Sequence, residues 1–255
     1  MAVVRASMPH PRTRYPSRQR LFDVVVVIVL LPPAILVGLV VALAVLVDSP
    51  GPVLFRSRRI GRDGVPFWMI KFRTMRHLAG GPLVSSRMDS RFTPVGRFLA
   101  LTRLDELPQL WNVLRGQMRL VGPRPELEEF VHEQRESYER ILTVPPGLTG
   151  PTQLVFADEG TLLASVDDRD RVYRSEILPG KVRLDLEYVD SHSLGRDLSV
   201  IARTCVLPLV KTGYRIAARL GAGPAQRAAA VRVGTMVLAL IVLLGLFTAE
   251  AGTAL

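Results

Sequence analysis

The first long apolar run of the chain covers residues 24–47, which contain no charged side chain. As a helix this run is about 36 Å long, enough to cross the apolar core of a bilayer. Pro32 and Pro33 lie inside it and predict a kink or a break. Arginines flank both ends, and arginine-rich flanks prefer the cytoplasmic side of a membrane. The pattern therefore predicts a membrane helix over 21–48 that re-enters the side it came from, with a kinked crossing as the alternative.

A second uncharged run covers residues 233–249, between Arg232 and Glu250. Its length is close to the lower limit of about 17 residues for a crossing. We expect an extra C-terminal transmembrane helix over 228–250. A hydrophobic tail that lies against the interface or the catalytic domain is the alternative.

Between these runs the pattern predicts an α+β domain over 49–220 that is mainly helical. Two stretches rich in Val, Phe, Ile and Trp bracket residues 61–64 and predict a small β-hairpin. Residues 77–90 are rich in glycine, serine and proline and predict a loop. Helix signals dominate residues 93–115. Residues 197–220 predict an amphipathic helix that lies at the membrane interface or turns its charged face to solvent.

The charge of the chain indicates which partners it binds. The chain has 255 residues, a net charge of +10 and an isoelectric point near 10.7. Arginines crowd a basic leader over residues 1–20, where they would meet anionic membrane lipids. No nucleic-acid-binding motif accompanies them, so we expect no nucleic acid partner. The single cysteine, Cys205, excludes an internal disulfide and a multi-cysteine metal site, and it favours a reducing, cytoplasmic location.

The most informative segment is residues 102–116, TRLDELPQLWNVLRG. Its apolar positions follow the spacing of an amphipathic helix, and Pro108 is expected in the first turn. Asp105 and Glu106 would then lie at the N-terminus, where free amides and the helix dipole favour ionised carboxylates. A bound Mg²⁺ would relieve their repulsion, and an ionised aspartate beside it can attack phosphorus. The alternative is an ordinary capping aspartate followed by a solvated glutamate.

Three cations stand among apolar residues and prolines rather than on a charge-rich face. Lys71 and Arg73 belong to KFRTM, and Arg124 belongs to VGPRPE. An arginine in a rigid Gly-Pro-Arg-Pro turn suits a bidentate grip on phosphate. Each alone is compatible with an ordinary surface residue. Together they predict a site that binds a phosphorylated substrate.

Several ordered motifs resemble one known family. RLFD, DSPGPVLFRSRRIGRDGVPFWMIKFRTM, LDELPQLWNVLRGQMRLVGPRPE and PPGLTGPTQL are similar to the bacterial sugar transferases, the small monotopic phosphoglycosyl transferases. The resemblance is dense over residues 20–154 and returns at 184–204. It implies a re-entrant membrane helix and a cytosolic helical domain with a small hairpin. It also implies that Asp105 is the nucleophile, that Glu106 is its partner in binding Mg²⁺, and that Arg124 holds phosphate.

The resemblance implies a reaction as well. Asp105 would attack the sugar-bearing phosphorus of a UDP-sugar and release UMP, and polyprenyl phosphate would then take the phosphosugar from the enzyme. This is the priming step of polysaccharide or glycoconjugate synthesis, at the inner membrane and facing the cytoplasm. A homodimer is compatible with it. The competing hypothesis is a catalytically silent membrane scaffold for glycan assembly.

Two departures from the family pattern bear on the substrate and the membrane helix. Residues 149–153 read TGPTQ in place of the usual aromatic or apolar residue after the glycine, and a longer insert, 155–180, follows. We therefore expect the choice of sugar to differ. In the membrane helix, Leu31-Pro32-Pro33 stands where many relatives have Ser-Pro.

Overall fold

The computed structural model describes residues 17–219, with residues 207–219 described by backbone alone. Most of the basic leader, residues 1–16, lies outside the described residues. The C-terminal hydrophobic helix predicted at 228–250 also lies outside them.

The first helix, α1, spans Ser17–Asp48 and continues through Pro32 and Pro33. Within residues 17–219 it is the one helix that is long and apolar enough to cross a membrane. Most of its apolar side chains are exposed rather than packed against the rest of the protein. A helix that is apolar on all sides and largely uncovered is typical of membrane association, whereas the core helix of a soluble protein is buried. The predicted long apolar helix is confirmed, and the two prolines do not divide it.

The predicted hairpin is also confirmed. Strands β1, Leu54–Ile60, and β2, Pro66–Phe72, pair antiparallel along their whole length. Asp63 and Gly64 close the turn with φ values of 58° and 72°. Glycine takes this left-handed conformation at little cost, which explains its place in the turn.

The remaining elements are mostly short helices, so the α+β, mainly helical prediction holds. In chain order they are α2 (Pro94–Thr102), α3 (Gln109–Leu114), β3 (Arg119–Val121), α4 (Glu128–Glu133), α5 (Arg135–Ile141), β4 (Gly147–Thr149), α6 (Pro151–Val155), α7 (Glu159–Leu162), α8 (Arg169–Val172), α9 (Leu178–Ser191) and α10 (Leu194–Arg219). A π-helical segment, Tyr173–Ile177, joins α8 to α9.

A second, parallel pair of strands was not predicted. It joins β3 to β4, with Arg119 opposite Gly147 and Val121 opposite Thr149. Each strand has only three residues, too few to produce a readable alternation of apolar and polar positions.

The chain divides into two compact units, Met1–Asp190 and Ser191–Leu255. The first contains both sheets and the helices up to α9. The second contains α10, which was predicted as an amphipathic helix over 197–220 and begins at Leu194.

Two apolar clusters organise the first unit. One cluster packs Val41 and Val45 of α1 against Phe72 of β2 and Leu99 of α2, with Leu104 at its edge. This cluster holds the chain just before the predicted carboxylate pair. The other cluster forms the main core of the domain and is built by Ile60, Val84, Phe130, Tyr138, Ile141, Leu142, Leu163, Tyr173, Ile177, Leu178 and Val182.

Candidate active site

Asp105 and Glu106 lie in a separate 3-10 turn, Leu104–Glu106, between α2 and α3. The expectation of one amphipathic helix that begins near Leu104 or Asp105, with the carboxylates in its first turn, is wrong. Arg103 ends α2 in the left-handed conformation, with φ of 62°, and α3 does not begin before Gln109. Pro108 lies at the N-cap of α3, where an N–H group would have no partner within the helix.

The side chain of Asp105 is buried, with 6% of its surface exposed. Burial and the neighbouring charge of Glu106 together raise the pKa of Asp105 to about 6, while Lys71 and Arg103 oppose the rise. The sequence predicts that helix amides favour the ionised carboxylate, and burial acts against them, because removal from water disfavours the charged form. With a pKa of about 6, Asp105 is still mostly ionised at neutral pH.

One oxygen of Asp105, Oδ1, is buried and has no hydrogen-bond partner within the described part of the chain. A buried acceptor without a partner costs free energy, and in native proteins such an atom calls for an explanation. Glu106, in contrast, is partly exposed and its Oε1 lies 3.1 Å from Nη1 of Arg103. The two carboxylates therefore differ: Asp105 has an unused oxygen, and Glu106 is held by a salt bridge.

Lys71, at the end of β2, lines the same cavity as the two carboxylates. Burial lowers the pKa of Lys71, and the charges of Asp105 and Glu106 act in the opposite direction. A partly desolvated ammonium attracts an anion more strongly than the same group in water, because the local dielectric constant is lower.

Arg124 reaches the cavity from the loop that follows β3. This loop is anchored by backbone hydrogen bonds to the second sheet, from Gly122 N to Thr149 O at 2.9 Å and from Gly147 N to Pro123 O at 2.8 Å. A Cβ atom on Gly147 would clash with the backbone of Gly122, so the close approach requires glycine. The pairing of β3 with β4, which are far apart in sequence, thus fixes the position of the Arg124 backbone.

The charges around Arg124 favour its ionised form. Burial alone would lower the pKa of Arg124, and the carboxylates of Glu106, Glu126 and Glu159 outweigh this effect and raise it. The cavity therefore presents a permanently charged guanidinium to a bound molecule.

Arg73 is not brought to the cavity. Its side chain is 5% exposed and donates hydrogen bonds to backbone carbonyls at the end of α1, to Ser49 O at 2.7 Å and to Pro50 O. Lys71 and Arg73 would share one face if the strand continued, but β2 ends at Phe72. The structure thus unites Lys71, Asp105, Glu106 and Arg124, and it leaves Arg73 at the junction between α1 and the domain.

The cavity has a volume of about 270 Å³, and several of its lining residues were not predicted. Glu159 and Lys181 come from α7 and α9, and Thr152 and Gln153 come from α6. The sequence carries no spacing signal for Glu159 or Lys181, because the two lie in different helices and meet only through folding. Gln153 and Thr152 belong to the TGPTQ stretch noted above as a departure from the family pattern.

No group of three or more His, Cys, Asp or Glu side chains suited to hold a metal ion occurs in the described ranges. Asp105 and Glu106 are thus two carboxylates without a third protein ligand of that kind. Mg²⁺ is often bound in this way, by one or two carboxylates, with water and substrate phosphate oxygens as the other ligands. The unpartnered Oδ1 of Asp105 fits such a use.

Comparison with known proteins gives several relatives. A model of the family described as bacterial sugar transferase matches residues 14–211. The chain is 37% identical over 209 residues to a UDP-glucose:undecaprenyl-phosphate glucose-1-phosphate transferase of Caulobacter vibrioides. The match covers 80% of this chain and 74% of that protein. A protein with the same name from Escherichia coli is 38% identical over 170 residues, or 64% of this chain and 34% of that protein.

A galactosyl transferase of Streptococcus agalactiae is 32% identical over 178 residues, or 65% of this chain and 36% of that protein. The chain spans 74% of the Caulobacter relative and about a third of the Escherichia and Streptococcus relatives, 34% and 36%. The matched region includes all the cavity residues described above.

Proposed function

This chain belongs to the bacterial sugar transferase family, and we propose that it transfers a hexose 1-phosphate from a UDP-hexose to polyprenyl phosphate, releasing UMP. The observation that carries the proposal is the cavity that unites two adjacent carboxylates with Lys71 and Arg124. The names of the relatives support both substrates, and UDP-glucose is the first donor to test.

In the proposed mechanism a carboxylate oxygen of Asp105 attacks the sugar-bearing phosphorus of the donor. The new bond joins that oxygen to phosphorus, the bond to the oxygen of the leaving UMP breaks, and UMP departs with the electron pair. An oxygen of polyprenyl phosphate then attacks the same phosphorus, which releases the Asp105 carboxylate and forms polyprenyl-diphosphate-hexose. With a pKa of about 6, Asp105 is mostly ionised at neutral pH and ready to attack.

The cations have complementary roles in this scheme. Lys71 lies beside Asp105 and offsets negative charge at the attacked phosphate, whereas Arg124 holds phosphate oxygens with two N–H groups. Asp105 and Glu106 would hold Mg²⁺, which supplies positive charge to the phosphate oxygens when it is bound. Most of the catalytic effect would thus come from positioning and electrostatics, as in other phosphoryl transfers.

Contacts at both ends of α1 support the membrane arrangement that we propose. Near its start, the guanidinium of Arg20 donates hydrogen bonds to the carbonyls of Val113 and Leu114 at the end of α3. Near its end, Arg73 holds the carbonyl of Ser49. Because the two ends are attached to one cytosolic domain, we infer that α1 enters the inner membrane and returns to the cytoplasmic face.

Cysteine labelling tests this topology. Ser7→Cys and Ala254→Cys, both outside the described residues, are introduced one at a time in a Cys205→Ser background. In intact cells an impermeant reagent should label only the Ala254→Cys protein, because the tail is expected to cross once. Labelling of the Ser7→Cys protein would mean that α1 crosses fully, and re-entry would then be wrong.

Turnover of a panel of UDP-sugars with polyprenyl phosphate and Mg²⁺ tests the activity. The proposal expects UMP release with at least one UDP-hexose, and a silent scaffold would release none. Label from UMP should also exchange into the UDP-sugar without lipid, because the first half-reaction is reversible and needs no acceptor. Exchange that strictly requires polyprenyl phosphate would instead indicate direct transfer.

A further inference from the structure

One wall of the cavity is built by residues of the segment 155–180, which the sequence predicts to be an insert. Residues 156–161 of this insert line the cavity. The insert is held against the loop before α2, because the carboxylate of Asp170 accepts hydrogen bonds from the backbone N–H groups of Leu83 and Val84 at 3.2 and 3.0 Å. The wall is therefore a fixed part of the cavity.

Glu159 presents a carboxylate on this wall. Its Oε2 lies 2.6 Å from the Nζ of Lys181, and Lys181 is only 4% exposed. Lys181 also donates a hydrogen bond to the hydroxyl of Tyr173 at 3.1 Å, and Tyr173 in turn donates to Glu126 at 2.9 Å. This buried chain of polar groups fixes the ammonium and, through it, the carboxylate of Glu159.

The ion pair does not use up the carboxylate. The side chain of Glu159 keeps 20% of its surface exposed and lines the cavity. An ionised carboxylate has about four acceptor sites on its two oxygens, and Lys181 occupies one. Glu159 therefore has acceptor sites left for a bound molecule, and it has no donor to offer.

The location of Glu159 relates it to the proposed phosphate site. Its charge acts on Arg124, as does the charge of Glu106 next to the proposed nucleophile. Arg124 and Glu159 line the same cavity, so if Arg124 holds the diphosphate of the donor, a group attached to that diphosphate can contact Glu159.

We propose that Glu159 recognises a pair of adjacent hydroxyl groups on the nucleotide sugar, with Lys181 as its positioning residue. A carboxylate accepts two O–H donors in charge-assisted hydrogen bonds, which are about twice as strong as neutral ones. Both the hexose and the ribose of a UDP-hexose carry adjacent hydroxyls. This inference rests on the proposed function, and it makes Glu159 a specificity-determining residue.

Glu159→Gln is the decisive variant. Glutamine is isosteric with glutamate and keeps an oxygen for Lys181, but it replaces the other acceptor with an N–H₂ donor, so the hydroxyl pair loses a partner. Circular dichroism checks that the variant is folded. We expect kcat/KM for the preferred UDP-hexose to fall about 10- to 100-fold. The matched control is Glu176→Gln, which removes one negative charge from an exposed position of the same insert. The kcat/KM of this control should stay within about twofold of the wild-type value.

Two ratios of kcat/KM locate the hydroxyl pair. If it belongs to the hexose, Glu159→Gln should bring close to one the ratio between the preferred UDP-hexose and its 2-epimer or its 4-epimer, because each adjacent pair of ring hydroxyls contains O2 or O4. If it belongs to the ribose, the variant should instead erase the preference for uridine over 2′-deoxyuridine in the donor. Either result supports the proposal.

Lys181→Gln should bring whichever ratio of kcat/KM responds to Glu159→Gln closer to one, in a protein that circular dichroism shows to be folded. An unchanged ratio would mean that Lys181 does not position Glu159. If both ratios for Glu159→Gln match those of Glu176→Gln, the inference is overturned and the transferase function stands. A wild-type protein that transfers no sugar would overturn the proposed function itself.

Discussion

The hydroxyl of Thr152 donates a hydrogen bond to the carboxylate of Asp185, and both side chains are buried. The same carboxylate accepts a hydrogen bond from the backbone N–H of Arg124. Asp185 of α9 thereby connects α6 to the loop that carries the proposed phosphate-binding arginine. Burial raises the pKa of Asp185 to about 7, although the hydrogen bond from Thr152 opposes the rise.

This shift predicts how stability depends on pH. In the unfolded chain the pKa of an aspartate is about 3.9, so between pH 4 and 7 the folded protein binds more protons than the unfolded one. The contribution of Asp185 to stability is therefore largest below pH 4 and is lost as the pH rises to about 7. We expect Asp185→Asn to flatten this fall, measured as unfolding midpoints in detergent from pH 4 to 8. Asp105 also lowers the stability as the pH rises to about 6, so the Asp185→Asn protein should still show a smaller loss of stability with pH. An Asp185→Asn slope equal to that of wild type would contradict the prediction.

Asp105→Asn should abolish turnover while the protein stays folded, because an amide cannot attack phosphorus. In the wild type the attacking carboxylate must be ionised, so kcat/KM should fall as the pH drops below about 6, the pKa of Asp105. UMP release over a pH series checks both points. Near-wild-type transfer by folded Asp105→Asn protein would remove the covalent mechanism.

Glu106→Gln should also lose most activity, and the loss should come mainly from weaker use of Mg²⁺. The amide keeps one neutral oxygen but no charge with which to attract the cation. A titration of activity against Mg²⁺ should show a higher half-saturation concentration for the variant. If wild type and variant are both indifferent to added Mg²⁺, the metal assignment is wrong.

Arg124→Lys should lower kcat/KM by about tenfold or more, because lysine retains the charge but not the planar pair of N–H groups. The raised pKa of Arg124 means that the wild-type guanidinium is charged throughout the working pH range. Initial rates of UMP release measure the effect. A variant within about twofold of wild type would place Arg124 outside the phosphate site.

Arg73→Met should destabilise the protein by about 2–4 kcal/mol, since carbonyls at the end of α1 lose a charged donor. Thermal unfolding in detergent measures this loss, with exposed Arg76→Met as the control. The folded fraction should keep kcat/KM within a few-fold of wild type. A folded but inactive Arg73→Met protein would instead support the prediction that Arg73 binds substrate.

Local patterns were enough to predict the elements near the site. The apolar run of α1 and the turn at 61–64 each depend on neighbouring residues, so their structure is readable from a short window. The motifs around Asp105 and Arg124 were likewise sufficient to indicate the family. The start of the helix after Asp105 was predicted too early. Arg103 adopts a left-handed conformation, and the leucine-rich pattern around it gives no sign of that conformation.

The sequence by itself thus determined the long apolar helix, the hairpin and the family. Only the tertiary structure decided that Asp105 is buried, with its pKa raised to about 6, that Arg73 contacts the end of α1 instead of lining the cavity, and that Glu159 meets Lys181 at 2.6 Å. Burial and contact depend on which distant segments fold onto a residue. Such segments leave no periodic trace in the chain, whereas helix and turn propensities act between near neighbours.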